Sequence, residues 1–366
     1  MPSFRGRPPY HMSEMIAAEP ALAERLIHRL SNDAVEQLAA AISEAVSAGR
    51  PVLTTGCGTS EHAAMGIAAL LNEALDLGTG RAVRSIQALE TLARPMTEGL
   101  LIAVSHEGGT QFTNEALRVA RASGARTALI TVGGGSPGAA LAEIVVRTEE
   151  QDQSWCHTVG YLSPLLVGVV LAARLSRSKV DALAVRALLD GADDPHAAAS
   201  TASALAGIDR LLMAGAGADY VSARELALKV AEGARLPTAA HELETVLHGH
   251  LAAATRWTGL VLVLTTPGHR EGPIRERSAR VLSAARALAV PAAAILSAEV
   301  APSVPEDETP AGRIVLPRTG RVGGVAGSLL GSAVALQLLT ERLARARGVN
   351  PDTLAREDPA QAAAHA

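Results

Sequence analysis

Aromatic residues are nearly missing from this 366-residue chain, with two Phe, two Trp and three Tyr making up 2% of it. A core built without rings is aliphatic, and because alanine inflates the 48% hydrophobic share it should be lined by helices. Cysteine is as scarce. Cys57 and Cys156 alone exclude a disulfide framework or a four-thiolate metal site, and they fit a reducing, cytoplasmic setting. No long run of one charge occurs, and the net charge of −4 is spread over interspersed acids and bases. A nucleic-acid binder needs a clustered cationic face, so nucleic acid is not an expected partner. The first 20 residues carry Arg, His, Glu and three prolines before residue 10, unlike a secretory leader. One stretch, residues 322–340, is free of charge for near the length that spans a bilayer. It is rich in Gly and Ser, contains Gln337, and has a counterpart at 158–173. Both are therefore expected to be buried packing helices, with no membrane as partner.

What the chain does have, it has twice. The apolar run 52–55 breaks into Gly56-Cys57-Gly58-Thr59-Ser60-Glu61 and a helical pattern. Residues 211–214 break into Gly215-Ala216-Gly217-Ala218-Asp219-Tyr220 and another. Downstream, 101–104 end at Ser105-His106-Glu107-Gly108-Gly109-Thr110, and 261–264 end at Thr265-Thr266-Pro267-Gly268. Residues 127–132 and 289–296 make a third pair of strands, 144–146 and 314–316 a fourth. A repeat of about 160 residues is too long for a solenoid unit and reads as a duplicated domain. Short Val/Ile/Leu strands alternating with helices, such as 111–123, imply parallel sheets covered on both faces. The expected layout is an arm with helices over 1–48, broken near residue 20 and again at Ser31-Asn32. A first domain over 49–190 follows, then a linker at 191–200. The second domain spans 200–347 and a tail covers 348–366. Function is expected to involve both halves.

Ligands of open α/β sheets bind beyond the carboxyl ends of the strands. There the 56–61 loop would present amides and the Thr59 and Ser60 hydroxyls at a helix N-terminus, which suits an anion. The 105–110 turn is a second such loop. The plain alternative is that glycine with Ser or Thr merely caps a helix. Glu225, Lys229 and Glu232, spaced by four and three, share one helical face. They read either as a base with its cation or as an ordinary surface ion pair. His241-Glu242-Leu243-Glu244 through His248-Gly249-His250 reads as a ligand-facing loop after a helix. It lacks the H-E-x-x-H spacing, so a metal is not expected. Ser154, Trp155, Cys156, His157 and Thr158, at the entry to a buried helix, form either a ligand wall or core. Adjacent Cys156 and His157 are poorly placed to act as a nucleophilic dyad.

With Gly56-Cys57-Gly58-Thr59-Ser60, the 225–232 helix carrying Lys229, the Glu242 to His248-Gly249 segment and the tail Gly348-Val349-Asn350-Pro351-Asp352, the chain resembles the double-SIS (sugar isomerase) family over about residues 12–358. That family includes the isomerase half of glucosamine-6-phosphate synthase and amino-sugar-phosphate deaminase/isomerases and deglycases. The resemblance implies two tandem flavodoxin-like SIS domains, each a parallel sheet of about five strands with helices on both faces, in a homodimer. It implies an aldose–ketose isomerase, with deaminating or deglycating variants, acting on a phosphorylated sugar or amino sugar.

Roles follow from the same resemblance. Cys57, Gly58, Thr59, Ser60, Ser105, His106, Glu107, Gly108 and Thr110 would hold the sugar's hydroxyls and phosphate. Ser154, His157, Thr158, Glu242 and Arg356 would be further substrate contacts. Glu232 would move a proton between C1 and C2 through an enediol-like intermediate, assisted by Lys229. His248, supplied by the neighbouring subunit, would help open the ring. No cofactor is implied, because side chains alone can do this chemistry. The glutaminase half is not expected, nor is glutamine-dependent amination.

Three positions depart from the family. Glu107 stands where a small hydroxyl residue is usual, and a carboxylate a few ångströms from a phosphate dianion repels it. Either it points away or the ligand is not a simple phosphate monoester. Arg356 falls at or near the synthase's tail lysine; it cannot form a Schiff base but can clamp an anion. The interval from Glu242 to His248 is longer than in the synthase and closer to the deaminase-like relatives. A non-phosphorylated sugar or a non-catalytic sensor are the alternatives, and a sensor would not need Glu232 with Lys229.

Overall fold

The computed structural model describes residues 5–78, 80–148 and 150–364; residues 1–4 of the expected arm and 365–366 of the expected tail lie outside them. Helices α1 (His11–Arg29) and α2 (Asp33–Ser47) come first. They lead into β1 (Val52–Thr55), α3 (Thr59–Leu75), β2 (Arg84–Ser85), α4 (Ala88–Ala93), β3 (Leu100–Val104) and α5 (Gln111–Ala122). Next are β4 (Arg126–Thr131), α6 (Pro137–Leu141), β5 (Ile144–Arg147), α7 (Val159–Leu175), α8 (Ala182–Ala192) and α9 (Pro195–Leu205). The second sheet brings β6 (Arg210–Gly215), α10 (Ala218–Ala234), β7 (Thr238–Glu242), α11 (Leu243–Leu247), β8 (Thr258–Leu264) and α12 (Gly272–Ala287). It closes with β9 (Ala292–Ser297), β10 (Gly312–Leu316), α13 (Gly324–Ala346) and α14 (Pro359–Ala364). The chain divides into two compact units, one of residues 21–151 and 159–186, the other of 1–20, 152–158 and 187–366.

Each unit holds a parallel five-stranded sheet, in the orders β2-β1-β3-β4-β5 and β7-β6-β8-β9-β10. The same order twice is the structural form of the repeat, and 2-1-3-4-5 is the flavodoxin-like order. In the first unit, Leu101 of β3 packs with Met96, Ala116 and Ala120, and Ala103 with Leu117 and Leu129, so this face meets α4 and α5. On β1, the Thr54 hydroxyl donates to the Ala64 carbonyl of α3 at 2.8 Å. Helix α3 lies against α7, where a Cβ on Gly168 would sit 3.0 Å from Ile67 and Leu70 side chains. In the second unit, Leu260, Leu262 and Leu264 of β8 join Leu212, Ala294 and Leu296 under α11 and α12. Burying each such leucine contributes on the order of 2 kcal/mol. Helices α9, α10 and α13 pack together in the same unit.

Several boundaries differ from the sequence reading. Helix α1 runs unbroken through Pro20, and α2 starts after Asn32, whose side chain accepts from the Val35 amide at 3.2 Å. The expected linker is helical: Asp194 caps α9 by accepting from the His196 and Ala197 amides at 3.1 and 3.0 Å, with Pro195 at its first position. Strand β9 begins at Ala292 rather than Ala289, which takes φ +53° past the end of α12. The uncharged stretch becomes α13, long and apolar enough to cross a membrane, yet 89% of its most apolar window is buried inside the fold.

Glu19 of α1 is fully buried. Burial pushes its carboxyl well above the usual range; the Gln337 amide offsets part of this, while Asp152 and Asp193 add to the rise. The folded form keeps a proton that the unfolded chain releases near its ordinary value of 4.5. Stability is thus full below that pH and falls as pH climbs towards the raised folded value, by about 1.4 kcal/mol per unit. Glu19→Gln copies the protonated shape, so it should stabilise the protein at neutral pH and flatten this slope. Urea unfolding at about pH 5 and pH 8 measures both effects, and an unchanged slope would contradict the assignment.

Candidate active site

In this strand order ligands sit where the topology reverses, beyond the carboxyl ends of β1 and β3. Strand β1 ends at Gly56, where a Cβ would lie 2.5 Å from the Ser60 carbonyl carbon, so only glycine lets α3 start this close. Gly58 follows at φ +58°, no side chain caps α3, and the Ser60 amide donates back to the Cys57 carbonyl at 3.2 Å. Thr59 is buried, while Cys57 and Ser60 are half-buried. Burial pushes the Cys57 thiol up, partly offset by Thr113, whose hydroxyl lies 3.7 Å away; Glu61 adds to the rise. It is a neutral thiol.

The β3–α5 turn is the second element of this end. The buried Ser105 hydroxyl lies 3.2 Å from that of Thr110. Gly108 takes φ +65°, and a Cβ there would strike the Ser136 hydroxyl at 2.0 Å. The Thr131 hydroxyl fixes the turn by donating to the His106 carbonyl at 3.0 Å. Glu107 is exposed, and its Oε1 accepts from Gln151 Nε2 at 2.9 Å.

In the second unit, α10 carries the charged face. The Glu225 and Lys229 side chains are 0% and 1% exposed, whereas Glu232 is 24% exposed. Lys229 Nζ lies 2.5 Å from Glu232 Oε2 and 3.8 Å from Glu225 Oε1. The surface-pair reading is therefore corrected, because the lysine is interior and one carboxylate opens outward. Burial disfavours the Lys229 charge, but the carboxylates of Glu232 and Glu225 outweigh it and hold the ammonium charged, its pKa raised. Cys156 packs against this helix with Sγ 3.7 Å from the Lys229 carbonyl. Burial pushes its thiol well up despite the nearby lysine.

Residues 152–158 belong to the same unit. Asp152 accepts from the Ser154 amide at 3.1 Å and from the Thr158 amide and hydroxyl at 2.5 and 3.3 Å. Gln337 Nε2 donates to the Thr158 carbonyl at 3.2 Å. Ser154 and Thr158 are buried around this carboxylate, and His157 is half-buried. Trp155 donates its amide to the Asp352 carbonyl at 3.3 Å, and the Arg356 guanidinium lies 3.8 Å from the Trp155 ring centre. This stacking uses the cation that the tail presents. The Asp352 carboxylate caps α1, accepting from the His11 and Met12 amides at 2.8 and 2.9 Å.

The histidine-rich segment is not a loop after a helix. His241 and Glu242 end the edge strand β7, paired with Ala214 and Gly215. The His241 and His250 rings stack 3.6 Å apart, presenting faces rather than nitrogens to each other. Burial pushes His241 down, His250 adds to the fall and Glu242 opposes it. His248 is 73% exposed, with Nε2 2.7 Å from Glu244 Oε1, and Arg277 Nε lies 2.6 Å from the other oxygen of Glu244. Within its own chain His248 is tied to Glu244, and Glu242 is exposed at the strand end.

Residues 47–174 match the SIS domain family. A glutamine–fructose-6-phosphate aminotransferase (isomerizing) of Symbiobacterium thermophilum is 31% identical over 311 residues, covering 77% of this chain and 50% of that protein. The chain thus spans about half the length of this curated relative. Among solved structures, the C-terminal domain of glucosamine-fructose-6-phosphate aminotransferase from Francisella tularensis superposes with a TM-score of 0.79 at 19% identity, over 95% of this chain and 99% of that one. Tagatose-6-phosphate ketose/aldose isomerase from Escherichia coli gives 0.73 at 17%, over 97% of both chains. Glucosamine-6-phosphate deaminase from Thermotoga maritima gives 0.71 at 18%, over 94% and 97%. At these identities the likeness is one of fold.

Proposed function

We propose that this SIS-domain chain is an aldose–ketose isomerase for a phosphorylated sugar or amino sugar, with two SIS-type halves in tandem and Glu232 as its base. The observation that carries this reading is the Lys229 ammonium, buried in α10 and 2.5 Å from a Glu232 carboxylate that remains 24% exposed. A buried cation keeps the carboxylate ionised and able to accept a proton, and a sensor has no need of such a pair. The Glu232 carboxylate takes the proton from the carbon beside the carbonyl, and the electron pair forms an enediolate with its charge on the former carbonyl oxygen; the neighbouring hydroxyl's proton passes to that oxygen, and the carbon proton returns from Glu232 at the former carbonyl carbon as the new carbonyl forms. Nothing is oxidised or reduced overall. Lys229 assists from the interior, through its ion pair with Glu232. Thr59, Ser60, Ser105 and Thr110 hold the phosphate and hydroxyls. In the homodimer we infer, His248 serves the partner's substrate, consistent with its 73% exposure here. The SIS match and the isomerising curated relative support the reaction class.

One observation favours a second reading, an isomerase whose substrate presents a hydroxyl or cationic group where a phosphate is expected. Glu107 is exposed in the cradle turn, where its Oε1 accepts from Gln151. If Glu107 excludes phosphate, Glu107→Ser should raise affinity for hexose phosphates by tenfold or more, about 1.4 kcal/mol. No gain would mean that Gln151 already holds the carboxylate clear of the ligand. The main reading is tested by thermal-shift screening against phosphorylated, amino and free sugars, since a ligand at 100 times its Kd stabilises by about 2.7 kcal/mol. A response to sugar phosphates supports it. A response confined to uncharged or cationic sugars overturns the phosphate.

A further inference from the structure

The same turn occurs in both halves, and the copies differ in what they point inward. A Cβ on Gly56 or Gly215 would lie 2.5 or 2.6 Å from the carbonyl carbon four residues on, that of Ser60 or Asp219. Gly58 and Gly217 then take φ/ψ of 58°/−128° and 57°/−125°. Ser60 and Asp219 therefore occupy one position in two matching turns. Ser105 and Thr265 correspond likewise, each following a central strand, β3 or β8.

Asp219 is fully buried, and what surrounds it is a set of donors. Its Oδ1 accepts from the Thr265 amide at 3.0 Å, the Thr265 hydroxyl at 2.6 Å and the Ser328 hydroxyl at 3.0 Å. Its Oδ2 lies 2.9 Å from His269 Nδ1 and 3.4 Å from the Thr266 amide. Ser332 supports the ring through the Thr265 hydroxyl at 3.2 Å. Two amides, two hydroxyls and an imidazole, drawn from the β8 turn and α13, are the partners an oxyanion requires. A second anion cannot enter beside this carboxylate, because like charges at contact repel and the donors are already used.

We propose that Asp219 is a built-in anion that fills the second half's copy of the ligand cradle. The chain then takes one phosphate-bearing ligand, in the first half, and the second half holds a latent oxyanion site that its own carboxylate keeps closed. This goes beyond the proposed isomerase and rests on it only for the phosphate in the first half.

Titration of the full chain with inorganic phosphate by calorimetry tests this, comparing wild type with Asp219→Ser, which copies Ser60, and Asp219→Asn, which keeps the cradle filled. The Ser variant should bind one more phosphate per chain than wild type, and the Asn variant should bind no more. If the Ser variant folds poorly, refolding in phosphate should recover more folded protein than refolding in chloride of equal ionic strength. A folded Ser variant with no added site, or no rescue by phosphate, overturns the proposal; so does phosphate bound beside Thr265 in the wild type. An added site in the Ser variant with none in wild type upholds it and removes the phosphate reading of the first half. One site in both removes the proposal and leaves that reading intact.

Discussion

Glu232→Gln is expected to lower kcat by about 10²–10⁴-fold, the usual contribution of a positioned acid–base group, while ligand affinity stays within about tenfold. The amide keeps the size of the carboxylate and can still accept from the Lys229 ammonium, 2.5 Å away in the parent. Binding contacts therefore survive while the atom that takes the proton is lost. Stopped turnover with retained thermal stabilisation by substrate is the signature of a base. Turnover that survives the change would remove Glu232 from the chemistry. An equal loss of binding and turnover would make it a ligand contact only.

Lys229→Met should destabilise the fold by about 3–5 kcal/mol, the cost of leaving a buried charge without its partner. Glu225 is 0% exposed with an oxygen 3.8 Å from Nζ, so removing the ammonium takes away the cation that faces this interior carboxylate. An exposed i,i+4 pair would lose no more than about 1 kcal/mol. Urea unfolding separates the two cases. A loss below about 1 kcal/mol would show that water reaches Lys229 and that the interior cation is not what holds Glu232 ionised. A double change to Lys229→Met with Glu225→Gln should recover part of the loss, because the interior carboxylate no longer faces a missing cation.

The 56–61 and 215–220 turns are legible because both have one steric cause: a glycine where a Cβ would meet the backbone four residues on. The repeat was legible for the same reason, since strand, glycine turn and helix recur in the same order. Edge strands β2 and β7 were not, because Arg84–Ser85 is only two residues and β7 is polar and half-exposed. Between the halves, the helix expected near 180–190 is α8, while the start of α9 is signalled by Asp194-Pro195, a cap followed by a helix-starting proline. Spacing placed Glu225, Lys229 and Glu232 on one face but could not say which way it points. Burial of that face comes from Cys156 and other residues distant in sequence. Asp219 carries no signal of its role in the sequence, because an acid in a first helical turn is commonplace and its partner Ser328 lies 109 residues away.

The central claim is proton transfer at the carbon next to the sugar's carbonyl. Its most direct test is proton NMR in D₂O of the wild-type protein with each sugar phosphate that stabilises it. The expected result is interconversion of aldose and ketose with deuterium appearing at C1 or C2, both absent with Glu232→Gln. Binding of sugar phosphates with no interconversion and no deuterium at either carbon would contradict it and leave the chain as a sensor.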